Sequence, residues 1–588
     1  MLFTLFLLAT LALGSAQQQA QQQAQQQAPQ QQRVAPAAQP TSVPSAASSA
    51  SKQLAPAPPE RTRIDKGRRV QPPQAGVALP ADSITVTLPQ AKGELLASKS
   101  RSGRLILFFR ALDSRASGDP SMAPFFEDPQ PIASVQVDSV APGAPIEFGE
   151  SSVWWPGGSE LFQGEYEVQA VLDVSDFERG HLAAGNLLSK PTTVAFSRDV
   201  SDVVALELVE KIPALTLPEL KNVVWIDIPS ALLSAAAERA VTHRAAVVFP
   251  AEYHDLRAKR RIWPTVYVVP GFGGRFTEAL DLATKVGNPA LVDYWPQAVY
   301  VILDPESAYG HHGFVDSALN GPRSSALVTE LIPYLQERFR LIRDPSARVV
   351  TGHSSGGWSS AWLALNNPTT FGAAFASSPD PLDFSAFEMS DLYRDINLFA
   401  ADDGSDRPSY RQDIGPHHDL VPMLVRDEIG MEYALSPGGT SGQQWDAWAA
   451  MFGPAAALSA RDGGGGARRL CDPHTGVIDP VTIEAWSQFD IARRIRADWD
   501  GLGRLFVERV RVIVGERDSF YLERAAIRLR DSIDARMREE SIAGRVFPSG
   551  PGYIEIVPGA THDSVYQPAQ VRFNREIRAF FHSGGHHD

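Results

Sequence analysis

Two hydrophobic periodicities divide the chain into two parts. Between about residue 81 and residue 213, apolar and polar residues alternate over short stretches such as residues 83–88 and 165–172, with Pro-Gly turn signals between the stretches. A period of two predicts strands that bury one face, and short strands separated by turns are typical of a β-sandwich. We therefore expect an all-β, sandwich-like domain over residues 81–213.

The pattern changes after residue 214, where apolar runs alternate with helix-forming stretches. Strands are predicted at residues 243–249, 265–269, 298–303, 348–351, 371–376, 510–514 and 553–557, and helices at 324–339 (interrupted at Pro333), 359–365 and 570–581. This alternation is typical of a mostly parallel sheet flanked by helices, so residues 214–588 are predicted to form an α/β domain. Residues 380–500 break the alternation, with loop signals first and a helical pattern at 483–499, which predicts a lid-like insert.

Residues 1–80 lack the pattern of a packed core. Residues 1–16 are mostly apolar and end in Gly14-Ser15-Ala16, which is typical of a secretory signal peptide and shorter than the ~20 residues that span a membrane. Residues 17–80 are rich in Gln, Pro, Ala and Ser and contain no aromatic residue, which predicts a disordered linker. We expect a bacterial protein that is secreted or periplasmic, without stable membrane insertion after signal cleavage.

Composition and charge narrow the classes of function. The 68 acidic and 54 basic residues give a net charge of −14, which argues against a nucleic-acid partner. The single cysteine, Cys471, excludes an intramolecular disulfide and a cysteine-based metal cluster, and we interpret it as a loop residue without a reactive role. The side chains of adjacent histidines such as His311-His312 diverge, so neither a metal site nor a cofactor is predicted.

A Gly-His-Ser-Ser-Gly pentapeptide stands at residues 352–356, between a predicted strand and a predicted helix. Gly-x-Ser-x-Gly in this context predicts the nucleophile elbow of an α/β-hydrolase, with Ser354 exposed on a sharp strand-to-helix turn. Gly352 and Gly356 leave room where strand, turn and helix crowd together. The pentapeptide alone is common by chance, and the alternative interpretation is a Gly/Ser loop; the flanking elements favour the elbow.

A serine nucleophile needs a histidine base that is oriented by a carboxylate, and in this fold the acid and the histidine follow the serine in that order. Asp518 stands just past the predicted strand 510–514, and His562 just past the strand 553–557. Because the carboxyl ends of parallel strands open on one edge of the sheet, we expect Ser354, Asp518 and His562 to meet there.

Three other acidic residues remain candidates for the catalytic acid. Glu516, or Asp380 or Asp383 after the strand 371–376, would be alternative acids. We interpret Asp563 as a surface group and His353 as a residue that lines the site.

The loop after the strand 265–269 reads Pro-Gly-Phe-Gly-Gly at residues 270–274. An oxyanion needs two N–H donors. We predict the amides of Ser355 and Phe272, with Gly273 as the alternative to Phe272. Gly271, Gly273, His311 and His353 are predicted to contact the substrate.

The segment from about residue 244 to residue 581 resembles the esterase D-like "Putative esterase" family of α/β-hydrolases. The motifs that carry the resemblance are residues 268–274, 316–317, 320–322, 352–357, 515–518 and 560–563. The family includes feruloyl, acetylxylan and siderophore esterases, S-formylglutathione hydrolase and mycolyl transferases. The resemblance implies Ser354 as nucleophile, Asp518 as acid and His562 as base, and it leaves the ester open.

The function predicted is that of an exported serine hydrolase that cleaves a carboxylic ester through an acyl-enzyme. The substrate would be a small-molecule or polysaccharide-linked ester. Two alternatives stay open: an acyltransferase of the same fold, and a catalytically silent carbohydrate-binding or adhesion protein.

Overall fold

The computed structural model describes residues 84–96, 102–123, 125–149, 151–157, 164–175, 180–196, 204–415, 418–456, 465–543 and 551–586. The predicted signal peptide (residues 1–16) and linker (residues 17–80) lie outside the described residues. Within the described ranges, no helix combines the length and the apolar character needed to cross a membrane.

The first nine strands form one sheet, which we call the β-rich part. They are β1 (Ile84–Thr87), β2 (Gly103–Ala111), β3 (Ile132–Val137), β4 (Pro145–Glu147), β5 (Val153–Trp155), β6 (Gly164–Asp173), β7 (Leu187–Ser189), β8 (Thr192–Phe196) and β9 (Val204–Lys211). Their order is β4-β1-β9-β7-β6-β2-β3-β5, and β8 pairs with β6. Alternate residues of β2, among them Leu105, Leu107 and Phe109, are buried in a core shared by the other strands, as the period of two predicts.

Trp154 and Trp155 of β5 enter two different apolar clusters. Trp155 is 8% exposed, and Trp154 packs against the core with its ring 6.1 Å from Phe109 and 6.2 Å from Phe148. Trp154 thus packs with the core of the β-rich part, while Trp155 packs with apolar residues of the insert such as Met431.

The second sheet forms the centre of what we call the α/β part. Its strands are β10 (Val223–Pro229), β11 (Thr242–Val248), β12 (Thr265–Val269), β13 (Val299–Leu303), β18 (Arg348–His353), β19 (Ala373–Ser377), β22 (Val510–Gly515) and β23 (Tyr553–Val557). The order is β10-β11-β13-β12-β18-β19-β22-β23. The strands from β13 to β23 are parallel, and β11 pairs antiparallel with β10 and with β13. Between β13 and β18 the chain forms two short hairpins, β14 (Glu306–Ser307) with β15 (Gly310–His311) and β16 (Asp316–Ser317) with β17 (Gly321–Pro322). The predicted α/β-hydrolase fold behind a β-rich N-terminal region is confirmed.

The α-helices of the described residues all lie in the α/β part. They are α1 (Ala231–Ala237), α2 (Ala279–Val286), α3 (Arg323–Ala326), α4 (Ile332–Arg338), α5 (Ser355–Asn366), α6 (Val425–Leu435), α7 (Gln444–Phe452), α8 (Pro480–Trp486), α9 (Ile491–Ala497), α10 (Arg504–Arg509), α11 (Glu523–Ile542) and α12 (Tyr566–Ser583). Neighbouring residues of β18 enter different apolar clusters, because successive side chains of a strand point to opposite faces. Val350 packs with α5 and the insert, and Val349 packs with α2 and α12.

The insert differs from its sequence prediction in its first half. Two strands, β20 (Pro408–Gly415) and β21 (His418–Leu424), and helix α6 stand where loop signals were read. Among the described residues the two strands pair only with each other, and Tyr410 and Met423 are the side chains of this hairpin in an apolar cluster. A hairpin with so little buried surface leaves no clear period of two in the sequence. The tryptophans of the insert, Trp445, Trp448, Trp486 and Trp499, are buried in the same cluster as one face of the main sheet.

The helix predicted over residues 324–339 is also more continuous than expected. A π-helical turn, Leu327–Leu331, joins α3 to α4, and Pro333 stands in the first turn of α4. A proline in the first turn is tolerated because its missing N–H would lack an α-helical partner there.

Candidate active site

Ser354 lies on the turn between β18 and α5 in a strained backbone conformation, with φ 57° and ψ −128°. A positive φ costs a residue with a side chain of order 1–3 kcal/mol and persists only where the surroundings enforce it. The Ser354 amide donates to the Ser377 carbonyl over 2.9 Å, and the Ser354 carbonyl accepts from Gly357 N over 2.8 Å. These bonds to the neighbouring strand and to the helix hold the turn.

The two glycines of the pentapeptide stand where no side chain fits. A Cβ at Gly352 would lie 2.3 Å from the Gly356 carbonyl oxygen, and one at Gly356 would lie 2.0 Å from the Val269 carbonyl oxygen. Both contacts involve backbone, which cannot rotate away. The elbow therefore depends on glycine at both positions for steric reasons.

Asp518 and His562 meet at the carboxyl edge of the sheet, beyond β22 and β23. His562 Nδ1 lies 2.8 Å from Asp518 Oδ2, and the Phe520 amide donates to Asp518 Oδ1 over 3.0 Å. The two loops are joined by backbone hydrogen bonds from Glu516 N to Val557 O and from Arg517 N to Ala560 O, each 2.9 Å long. A buried carboxylate with two donors orients the imidazole through its Nδ1–H.

Electrostatics set the charge states of this pair. Burial raises the pKa of Asp518, but the positive charge and hydrogen bond of His562 outweigh burial and lower it below the ordinary value. Burial lowers the pKa of His562, but the charge and hydrogen bond of Asp518 outweigh burial and raise it. The carboxylate thus stays ionised, and the imidazole is a stronger base than an ordinary histidine.

His353 connects the serine turn to the imidazole of His562. The two rings lie 4.5 Å apart, and His353 Nδ1 lies 3.0 Å from Ser377 Oγ. Burial lowers the pKa of His353 to about 3, so this ring is neutral. Within the described residues, the Ser354 hydroxyl makes no hydrogen bond to His562. Catalytic hydrogen bonds are often long before substrate is bound.

Asp380, one of the alternative acids, forms its side-chain hydrogen bonds with Ser355 and Trp448. Its Oδ2 accepts from Ser355 Oγ and from Trp448 Nε1, each over 2.7 Å. Burial raises the pKa of Asp380 to about 6. This carboxylate therefore holds the start of α5 directly behind Ser354, a role that the sequence analysis missed because Trp448 lies 68 residues away.

The other rival acids also have different partners. Asp383 pairs with Arg496 over 2.8 Å. Glu516 is exposed and accepts from the Gly559 amide over 2.9 Å. Among the four candidate carboxylates, Asp518 is the one that is hydrogen-bonded to His562.

The loop at residues 270–274 lies directly against the elbow. Gly271 and Gly274 close a turn through a 2.9 Å hydrogen bond, and a Cβ at Gly271 would lie 3.1 Å from the His353 carbonyl oxygen. Because the Pro270 carbonyl can only accept, His311 donates to it from Nε2 over 2.9 Å, and His311 Nδ1 accepts from Gly313 N. His311 thus supports the loop from a buried position. Substrate contacts at Gly271 and Gly273, and the oxyanion role of Phe272, stay predictions.

Aromatic rings surround the two histidines. The Phe520 ring stands edge-on 5.0 Å from His562, and the Tyr566 ring lies 5.1 Å from His353. Neither residue was identified from the sequence, because an aromatic residue near a catalytic motif has no distinctive spacing.

Cys471 is a buried free thiol. Burial raises the pKa of the Cys471 thiol to about 12, so the thiol stays protonated. Among the residues that the structure describes, no group of three or more His, Cys, Asp or Glu side chains could hold a metal ion.

Solved structures similar to this chain are esterases and related hydrolases of low sequence identity. A ferulic acid esterase is 14% identical, with a TM-score of 0.36 and coverage of 61% of this chain and 98% of its own. FphF, a fluorophosphonate-binding serine hydrolase of Staphylococcus aureus, is 12% identical, with a TM-score of 0.33 and coverage of 61% and 97%. An S-formylglutathione hydrolase from Agrobacterium tumefaciens is 16% identical, with a TM-score of 0.33 and coverage of 61% and 94%.

No curated protein sequence matches this chain. The family model described as "Putative esterase" matches residues 239–549, more than half of the chain. This range contains the serine elbow and Asp518, while His562 follows it. The chain belongs to this esterase family of α/β-hydrolases.

Proposed function

We propose that this protein is a serine esterase that hydrolyses a carboxylic ester through an acyl-enzyme on Ser354. The observation that carries the proposal is the buried hydrogen bond from His562 Nδ1 to Asp518, beside a strained serine elbow. With Nδ1 protonated, Nε2 is the basic nitrogen of the neutral imidazole. Membership of an esterase family supports the same reaction class.

In the proposed reaction, His562 Nε2 accepts the Ser354 hydroxyl proton as Oγ attacks the ester carbonyl carbon. The tetrahedral intermediate collapses when the bond to the alkoxide oxygen breaks, and His562 gives its proton to the leaving alcohol. Water then attacks the acyl-enzyme by the same route and releases the acid. Asp518 stabilises the imidazolium that forms in each step.

The oxyanion would be held by backbone amides. The Ser355 amide stands at the start of α5, where N–H groups lack helical acceptors and the helix dipole favours negative charge. The second donor would be the Phe272 amide, with Gly273 as the alternative. Each such donor contributes roughly 3 kcal/mol to transition-state stabilisation.

On the acidic side, we expect kcat/KM to fall with a midpoint above 6.5, the ordinary pKa of histidine. The base works only when neutral, and Asp518 raises the pKa of His562 above 6.5 despite burial. As the pH falls through that raised pKa, kcat/KM should decline. His353, with a pKa of about 3, stays neutral in this range. Protonation of Asp380, with a pKa of about 6, would cause a second decline of kcat/KM at lower pH. A kcat/KM profile checks this; a midpoint below 6.5 would contradict it.

The reaction class is tested by pre-steady-state hydrolysis of p-nitrophenyl acetate. We expect a burst of p-nitrophenol close to one equivalent per active site, together with a transient mass increase of one acetyl group on the peptide that contains Ser354. Faster product formation with an added alcohol acceptor than with water would favour the acyltransferase alternative. No turnover and no labelling by a fluorophosphonate would favour the catalytically silent alternative.

The ester itself is proposed only as a class, a small-molecule or polysaccharide-linked ester outside the cytoplasm. Export is proposed from the apolar residues 1–16. Activity of the purified protein on acetylated, feruloylated and siderophore esters would separate the substrate classes.

A further inference from the structure

The β-rich part is packed onto the insert through an apolar surface that we call the docking cluster. Its buried members are Ile106, Phe108, Ile132, Trp155 and Val171 from the β-rich part and Tyr410, Met423, Met431, Ala434 and Leu435 from the insert. The β-rich residues point away from that part's own core, because they alternate along β2 and β6 with the core residues. The outer face of the β-sheet is thus buried against the α/β part.

Two close contacts show how tightly this surface is packed. A Cβ at Gly430 in α6 would lie 2.7 Å from Trp155 Cδ1, so the indole rests directly on the helix backbone. The Ser134 hydroxyl in β3 donates to the Ala434 carbonyl near the end of the same helix. A packed contact of this kind places the segments next to it in a defined position.

One such segment, residues 125–127 before β3, reaches the candidate active site. The Phe126 ring stands edge-on 5.2 Å from Phe520 and lies 5.8 Å from Tyr410. Tyr410 and Phe520 are themselves 5.2 Å apart, so the three rings form a closed triangle. Partial desolvation, and then the negative charge of Asp563, raise the pKa of Glu127, the residue after Phe126.

Phe520 contacts both members of the His–Asp pair. Its amide donates to Asp518 Oδ1 over 3.0 Å, and its ring stands edge-on 5.0 Å from His562. A shift of Phe520 would therefore change its hydrogen bond to the Asp518 carboxylate and its ring contact with the His562 imidazole. Phe126 belongs to the β-rich part, and its ring packs on Phe520.

We propose that Phe126 is a positioning residue, through which the β-rich part completes the active site of the α/β part. The inference rests on the proposed esterase function. Phe126 holds Phe520, and Phe520 holds Asp518 and His562 in the geometry that proton transfer requires. The β-rich part would then be needed for turnover itself, in addition to any role in binding a polymer.

The test compares Phe126→Ala with the control Leu188→Ala. Leu188 lies in β7, is partly buried, and packs against the same docking cluster. Each variant of the full chain is assayed for kcat and KM with p-nitrophenyl acetate, for the rate of fluorophosphonate labelling, and for melting temperature. We expect Phe126→Ala to lower kcat and the labelling rate by about tenfold or more with little change in KM, because small misplacements of catalytic groups are costly. Leu188→Ala should keep kcat within about twofold of wild type, because the loss of one apolar side chain outside the site lowers the free energy of unfolding and leaves the catalytic groups in place.

Phe126→Leu serves as a second variant if Phe126→Ala does not fold, and it should lower kcat in the same direction by a smaller factor. Unchanged kcat in the Phe126 variants, or equal losses in Phe126→Ala and Leu188→Ala that follow melting temperature, would overturn the positioning role. In that case an active wild-type enzyme leaves the proposed esterase function intact. A wild-type protein that neither hydrolyses the ester nor reacts with the fluorophosphonate overturns both.

Discussion

Replacing Ser354 by alanine is expected to lower kcat/KM for p-nitrophenyl acetate by at least about 10⁴-fold, because the acyl-enzyme cannot form. The substitution removes one oxygen from a side chain whose backbone is already held by Ser377 and Gly357. Alanine has the same Cβ as serine, so the strain at φ 57° is the same in both proteins. The fold should therefore persist, which the melting temperature checks. The acetyl label and the p-nitrophenol burst should both disappear.

Ser359→Ala is the matched control for this substitution. Ser359 lies on the same helix, is fully buried, and donates to the Ser355 carbonyl over 2.7 Å. Loss of that bond affects stability by about 1 kcal/mol and leaves the nucleophile in place. A Ser354→Ala protein with a tenth or more of the wild-type rate would show that another group attacks the ester.

Replacing Asp518 by asparagine is expected to lower kcat by about 10⁴-fold. The amide cannot stabilise the imidazolium, and its N–H₂ group favours the tautomer of His562 in which Nδ1 accepts. The carboxylate also raises the pKa of His562, so its loss should move the acidic limb of kcat/KM to lower pH. Both effects are measured in one pH series of kcat and kcat/KM.

Glu516→Gln is the control for this second prediction, since Glu516 is an exposed carboxylate two residues from Asp518. It should keep kcat within a few-fold of wild type. A larger loss of kcat in Glu516→Gln than in Asp518→Asn would mean that Asp518 is not the carboxylate that acts with His562.

The local elements of the site were readable from the sequence. The strand 265–269 and the strand 553–557 have the bounds that their apolar patterns predicted. The elbow was visible because its geometry requires glycine at fixed positions, and this requirement leaves a mark within five residues. The β20–β21 hairpin has no such pattern: in the described part of the chain it pairs with no other strand, and two of its side chains, Tyr410 and Met423, join an apolar cluster.

The sequence favoured Asp518 as the carboxylate that holds His562, but it did not exclude other carboxylates. Asp380, Asp383 and Glu516 also follow strands of the same sheet, so they stayed as alternatives to Asp518. The choice depends on which loop lies against the His562 loop, and this is set by the pairing of β22 with β23 and by the backbone bonds between the two loops.

The sequence by itself determined the strand-to-helix alternation, the serine elbow, and the short set of side chains able to act with it. These features depend on sterics and periodicity within a few neighbouring residues. Only the tertiary structure decided that Asp518 bonds to His562, that Asp380 supports Ser355, and that Phe126 packs against Phe520. Each of these contacts joins residues between 25 and 394 positions apart, so no local pattern in the chain records it.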